Sequence, residues 1–278
     1  MIQHEAMTRH NDKRRITEFY DFVSPHFHAL WGAHLHHGYW IRGDETKELA
    51  QIQLIERLAH VARIQPGSRI LDVGCGTGAS SIYLAKHYKA EVTGITISPI
   101  QVDMARKAAA AEGVNATFLL MDAEAMRFEN MFDVIWSIES ISHYQDIGNF
   151  FASAAKLLPP GGKTAIIDWF EKENLNRADY TKHILPIERG MLVELRTMQE
   201  YQNWMRASGL NVIRTEIMNK NCAKSWDLGL GIIKEKALWR LAAENGAIMV
   251  DFLKTFRAMK AGFESGNFVY GLIVAQRI

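Results

Sequence analysis

Two groups of residues in this chain have the types and spacing to do chemistry. Gly74, Gly76 and Gly78 alternate within "LDVGCGTGASSIYLA", where an apolar strand-like run breaks and then resumes with helical spacing. Such a corner lets backbone approach a ligand closely, and in an open α/β sheet it is the usual place for a nucleotide-derived one. The spacing is G-x-G-x-G and not the G-x-G-x-x-G whose amides hold a pyrophosphate, which favours a cofactor without phosphate. S-adenosylmethionine (SAM) is the common one of that kind. The second group is His143 in "SIESISHYQD" and Asp168 in "AIIDWF", each just past an apolar run. An imidazole held by a carboxylate is a general base suited to neutral pH. Glu139, within "IES", is a third polar candidate.

The surroundings of the glycine corner sharpen it. An NAD site wants an acidic residue at the end of the second strand, whereas "GITISPIQ" offers Thr96 and Gln101 as hydrogen-bonding groups. The third strand ends in "MDAEAM", where the Asp122 carboxylate could accept from an adenine amino group and the Ala123 amide could donate to a ring nitrogen. Asp122 also reads as a helix cap, and the two roles are compatible. The glycines by themselves are a weak signal, and a purely structural tight turn is the alternative reading.

The elements needed to position these residues are legible in order. "SRILDVG", "AEVTGITIS", "ATFLLMD", "FDVIWSIES" and "KTAIIDWF" alternate with helical segments, followed by "MQEYQNWMRASG", "NVIRTEIM" and a final "NFVYGLIVAQR". This alternation is the signature of a mostly parallel sheet covered on both faces. The expected division is an N-terminal helical lid (1–63), a Rossmann-like core (64–218 and 267–278) and a helical cap (219–266) inserted before the last strand. An insertion of that length is usually functional. The lid carries the aromatic and histidine-rich "FYDFVSPHFHALWGAHLHHGYW".

Composition removes several classes. A chain of 278 residues with 48% apolar content can bury a large core, and a formal charge of +1 with mixed signs is no nucleic-acid footprint. Cys75 and Cys222, the two cysteines, have neither disulfide nor zinc spacing, which fits a reducing cytoplasm. No apolar run approaches the ~20 residues of a membrane span. His26, His28, His34, His36 and His37 invite a metal, but no cysteine or acidic cluster accompanies them, and none is expected.

In order and spacing, "LHHGYW", "ILDVGCGTGASSIYLA", "GITISPIQ", "FDVIWSIESISHYQD", "LPPGGKTAIIDW" and "FRAMKAGFESGNFVYGLIVAQ" resemble the class I SAM-dependent methyltransferases. Within them the chain is similar to the small-molecule branch containing tocopherol and sterol C-methyltransferases and the rebeccamycin sugar O-methyltransferase. The resemblance implies a seven-stranded sheet with an antiparallel last strand. It implies Gly74, Gly76 and Gly78 against the cofactor, Thr96 and Gln101 near the ribose, and Asp122 with Ala123 at the adenine. Ser137 would touch the methionine end, and Tyr20 and His36 would close over the cofactor. His143 and Asp168 would be the catalytic pair, although the first of two adjacent histidines in the sugar enzymes is Ser142 here.

The resulting expectation is methyl transfer from SAM to a small metabolite, with oxygen favoured. Its alternatives are C-methylation of a prenylated or terpenoid acceptor, N-methylation, and a SAM-binding protein without catalysis. The acceptor would be encoded between Glu171 and about Lys254, where no motif is recognisable.

Overall fold

The computed structural model describes residues 11–234, 238–239 and 247–278; the expectations for 1–10 and for parts of the cap (235–237 and 240–246) fall outside the described residues. Seven strands form one sheet: β1 (Arg69–Val73), β2 (Glu91–Thr96), β3 (Ala116–Leu120), β4 (Val134–Ile138), β5 (Lys163–Glu171), β6 (Leu210–Ile217) and β7 (Phe268–Arg277). Their order is β3-β2-β1-β4-β5-β7-β6, with β7 antiparallel to both neighbours and the other pairings parallel. This is the expected Rossmann-like sheet with an antiparallel last strand. The order reverses at β1 and β4, so the crevice beyond the carboxyl ends of those two strands is the switch point where ligands bind.

Local chemistry sets the connections. The helix α3 (Ala79–His87) follows β1, and α4 (Pro99–Glu112) starts with Pro99 in its first turn, is capped by Ser98 accepting from the Gln101 amide, and stops at left-handed Gly113. The helix α5 (Ile147–Lys156) is capped by Asp146 and leads into β5, whose interior from Thr164 to Phe170 is buried throughout, as befits a strand paired on both edges.

The N-terminal segment contains two helices with different surroundings. In α1 (Lys13–Trp31) the buried residues Ile16, Phe19, Val23, Phe27 and Trp31 recur at helical spacing and form one stripe, while α2 (Lys47–Ala62) buries Leu54, Ile55, Leu58 and Ala59 completely in the core that also holds Ile70, Trp136 and Ala165. Between β5 and β6 lie α6 (Arg177–Asp179), a π-helical turn (Tyr180–Ile184), α7 (Leu185–Met191) and α8 (Met198–Ala207). Only α8 is legible in the sequence. The turns before it are too short for periodicity, and Pro186 stands inside the run, tolerated because it falls in the first turn of α7. Beyond β6 come α9 (Asn219–Cys222), α10 (Lys224–Ile232) and α11 (Ala247–Ser265). Phe252 and Phe256 of α11 pack with Phe19 and Phe27 of α1, and Trp226 of α10 packs on Phe256, so the N-terminal helix and the helices after β6 share one aromatic core.

Candidate active site

The glycines of the corner divide by function. Gly76 has φ 55° and nothing within 4 Å of where a Cβ would stand, so its backbone is bare toward the crevice. Gly74 (φ 70°) also lines the cavity, but its Cβ would lie 1.9 Å from Ser140 Oγ, so this glycine lets the turn after β4 come close. Gly78 (φ 84°) does not reach the cavity; its Cβ would meet Ala105 and the Phe118 ring at 2.8 Å, so it joins the corner to α3 against α4 and β3.

Thr96, Gln101, Asp122 and Ala123 all line the cavity. Thr96 Oγ1 donates to Gln101 Oε1 at 2.6 Å, and Gln101 Nε2 donates to Ser24 of α1 at 3.0 Å. Asp122 Oδ1 caps the short turn Ala123–Ala125 by accepting from the Glu124 amide at 2.9 Å, while Oδ2 accepts from Lys13 of α1 at 2.5 Å. Lys13 also meets Glu124 at 2.9 Å. Asp72 at the end of β1, which sequence reasoning did not single out, lines the cavity and accepts from Ser81 Oγ at 2.6 Å. Burial pushes its carboxyl up to about 7 although the Ser81 hydrogen bond opposes it.

His36 reaches the cavity beside the corner, its Nδ1 bonded to His37 O at 2.8 Å and its Nε2 3.5 Å from Ser80 Oγ. Burial lowers its pKa, and burial with the neighbouring His36 takes His34 down to about 3. His37 also lines the cavity and bonds Glu139, with Nδ1 at 2.8 Å from Oε1. Ser137 is a correction. It pairs with Ile166 inside the sheet, is fully buried, and does not line the cavity; Ile138, Glu139 and Ser140 occupy the crevice end of β4 instead.

The expected hydrogen bond between His143 and Asp168 is also corrected. Asp168 is fully buried, with Oδ1 accepting from the Trp169 amide (2.8 Å) and Oδ2 from the Ser142 amide (3.0 Å). Both oxygens are spent on backbone, and Asp168 is absent from the cavity wall. Burial pushes its carboxyl up to about 7 against those two donors. Asp168 therefore fixes the turn Ile141–His143 through Ser142, one residue before the histidine.

His143 itself is on the wall, and its partners come from elsewhere. Nδ1 stands 3.0 Å from the carbonyl of Leu192, so it carries the proton and donates. Nε2 is then the lone-pair nitrogen, and the Tyr20 hydroxyl of α1 donates to it at 2.8 Å. Burial lowers the His143 pKa to about 4, partly offset by the Leu192 hydrogen bond, and burial raises the Tyr20 pKa. Leu192 has left-handed φ 56° at the end of α7, in a stretch without recognisable motif, and no sequence signal could have found it.

A family model described as a methyltransferase domain matches residues 70–162. The chain is 31% identical over 270 residues to the 27-O-demethylrifamycin SV methyltransferase of Amycolatopsis mediterranei (strain S699), covering 94% of this chain and 96% of that one. The chain belongs to the SAM-dependent methyltransferases. It is also 28% identical to the chloroplastic tocopherol O-methyltransferase of Arabidopsis thaliana, over 95% of this chain and 82% of the relative. The fold matches that of a mycolic acid cyclopropane synthase complexed with SAH, with TM-score 0.85, 22% identity and coverage of 96% and 99%.

The methyl donor of this methyltransferase is SAM, its acceptor a small molecule. The residues fit the donor: the open space over Gly76 admits a close ligand, Asp72 and Asp122 present carboxylates to the crevice, and the lysine that lines it, Lys13, is paired with Asp122 and Glu124. No described helix of the methyltransferase is long and apolar enough to cross a membrane.

Proposed function

We propose that this enzyme methylates a hydroxyl oxygen on a largely apolar acceptor, with His143 as the proton acceptor and Tyr20 in contact with the acceptor. The observation that carries this reading is the pair of His143 hydrogen bonds: the Leu192 carbonyl accepts from Nδ1–H, which leaves the Nε2 lone pair to the Tyr20 hydroxyl on the cavity wall. SAM supplies a methyl group on a sulfonium sulfur, displaced in line, so alignment and exclusion of water contribute much of the acceleration. This chain handles the proton. It leaves the acceptor oxygen for the Tyr20 oxygen while the Tyr20 proton moves to His143 Nε2, giving an imidazolium that Leu192 continues to orient. The side chains of Phe19, Phe27, Trp31, Trp226 and Phe256 give the cavity an apolar body suited to a phenol, quinol or macrocycle, the kinds of compound in the names of the tocopherol and rifamycin relatives.

The test is His143→Gln, read with a labelled methyl donor on a panel of phenols and hydroxylated macrocycles. Turnover should fall by ~10²–10⁴ while SAM affinity stays within about threefold; parallel loss of both makes His143 structural. The acid limb of kcat/KM should lie near the folded pKa of about 4 and vanish in the variant. Methylation at carbon is the second reading, favoured by the ionised Glu139 beside Trp169 and Trp226; the position of the label in the product separates the two.

A further inference from the structure

The Glu139 carboxylate is a buried charged group that the proton path does not use. Glu139 follows β4 with left-handed φ 55°, a conformation unfavourable for a non-glycine residue, and its amide is tied to the Ile167 carbonyl at 2.8 Å. Oε1 accepts from the His37 amide (2.8 Å), from His37 Nδ1 (2.8 Å) and from the Tyr270 hydroxyl (2.6 Å). Oε2 has no donor among the described residues, and the side chain, 10% exposed, lines the cavity. Burial would raise this carboxyl, but His37, His36 and the Tyr270 hydroxyl outweigh it and hold the pKa below the usual value. A buried carboxylate is costly unless both oxygens are satisfied, and here one is left for whatever fills the cavity.

We propose that Glu139 Oε2 binds a second hydrogen-bond donor on the acceptor, a hydroxyl other than the one methylated, so that the acceptor is an apolar diol or quinol held at two points. The proposal rests on the O-methylation reading for the first of those points. Glu139 and His143 bracket the turn after β4 and both line the cavity, so one rigid segment presents a carboxylate and, through Tyr20, a proton acceptor. A purely hydrocarbon body leaves Oε2 bare, and a single hydroxyl serves only one of the two points.

Glu139→Gln tests this cleanly. Three donors converge on Oε1, so the amide oxygen stays there and the NH2 group replaces Oε2, turning an acceptor toward the cavity into a donor. The measurement is calorimetric binding to the SAH-loaded protein of matched pairs: a dodecylhydroquinone against the dodecylphenol, and a steroid diol against the mono-ol. The wild type should bind the diol of a pair at least tenfold tighter, and Glu139→Gln should bind both within twofold of each other. Glu139→Asp, which retracts the carboxylate by one methylene, guards against a folding defect in the first variant and should lose most of the discrimination. A wild type that does not discriminate, or variants that discriminate equally, overturn the proposal. Binding is read without turnover, so failure of the His143 reading, seen as label on carbon or an active His143→Gln, is distinguished from failure of this one.

Discussion

The half of the crevice above β1 to β3 and the half above β4 and β5 are built differently. In the first, backbone does most of the work within short spans of sequence: the amides of Gly74 and Cys75 both donate to Ile95 O, and Met121 donates to Thr96 O. In the second, side chains meet from far apart. His143 is 123 residues from Tyr20 and 49 from Leu192, and Glu139 is 102 from His37 and 131 from Tyr270. A cofactor common to a family can be held by a motif, whereas an acceptor pocket has to be assembled from lid, core and cap.

The largest effect that tests this contrast compares two glycines of the corner. Gly74→Ala should cost roughly 2–5 kcal/mol, the sum of a left-handed backbone and a steric conflict, because its Cβ would land 1.9 Å from Ser140 Oγ. The turn carrying His143 would have to move with Ser140, so both halves of the crevice suffer. Gly76→Ala, with φ 55° but open space, should cost ~1 kcal/mol in stability and weaken SAM binding instead. Thermal unfolding and SAM titration of both variants check this. Equal destabilisation by the two would mean that Gly76 is structural and that the cofactor half is not a bare backbone cradle.

The same contrast explains what was legible. All seven strands, the antiparallel last strand and the cavity-lining positions Gly74, Gly76, Thr96, Gln101, Asp122 and Ala123 follow from apolar runs, glycine spacing and family resemblance, because each signal is contained in a few consecutive residues. Ser137 was placed too far toward the strand's end: it is still inside the sheet, paired with Ile166, while Ile138 and the residues just past β4, Glu139 and Ser140, line the crevice. The partner of His143 was misjudged for a different reason. Adjacent strand ends place His143 and Asp168 near one another, but two backbone amides capture both Asp168 oxygens, and a carbonyl from an unmarked segment takes the imidazole.

Asp168→Asn probes that capture and should have an intermediate effect. An amide NH2 replaces one accepting oxygen and leaves the Ser142 or Trp169 N–H unpaired, at a cost of ~1–3 kcal/mol. Turnover should fall less than in His143→Gln, since Asp168 positions the turn and does not touch the imidazole. The pH dependence has a defined sign. With a folded pKa of about 7, above the ordinary aspartate value of 3.8, the carboxyl contributes stability that is full below pH 4 and lost as pH rises through 7. Wild type should therefore lose stability relative to Asp168→Asn between pH 4 and pH 8 in denaturant titrations. The opposite slope would show that the two amides dominate and that Asp168 is an ordinary ionised cap.

The smallest effect belongs to Lys13, the charged side chain of α1 that pairs with Asp122 and Glu124 in the cofactor half, which Asp21 and Ser24 of the same helix also reach. Its ammonium bridges Asp122 and Glu124, but its side chain is 38% exposed and that of Asp122 31%, so solvent screens the pair. Burial lowers the lysine pKa, and the two carboxylates more than reverse that, so it stays protonated across the neutral range. A screened pair of this kind contributes at most about 1 kcal/mol. Lys13→Ala should change the melting temperature little, shift SAM affinity by a few-fold at low salt, and match the wild type in ~0.5 M salt, where the Debye length has fallen to ~4 Å and charges beyond the first contact are screened. A tenfold or greater loss of affinity that persists at high salt would make Lys13 a direct cofactor ligand. In that case the cofactor half, too, would depend on a side chain brought from the far end of the sequence, and the division between the two halves would fail at its adenine end.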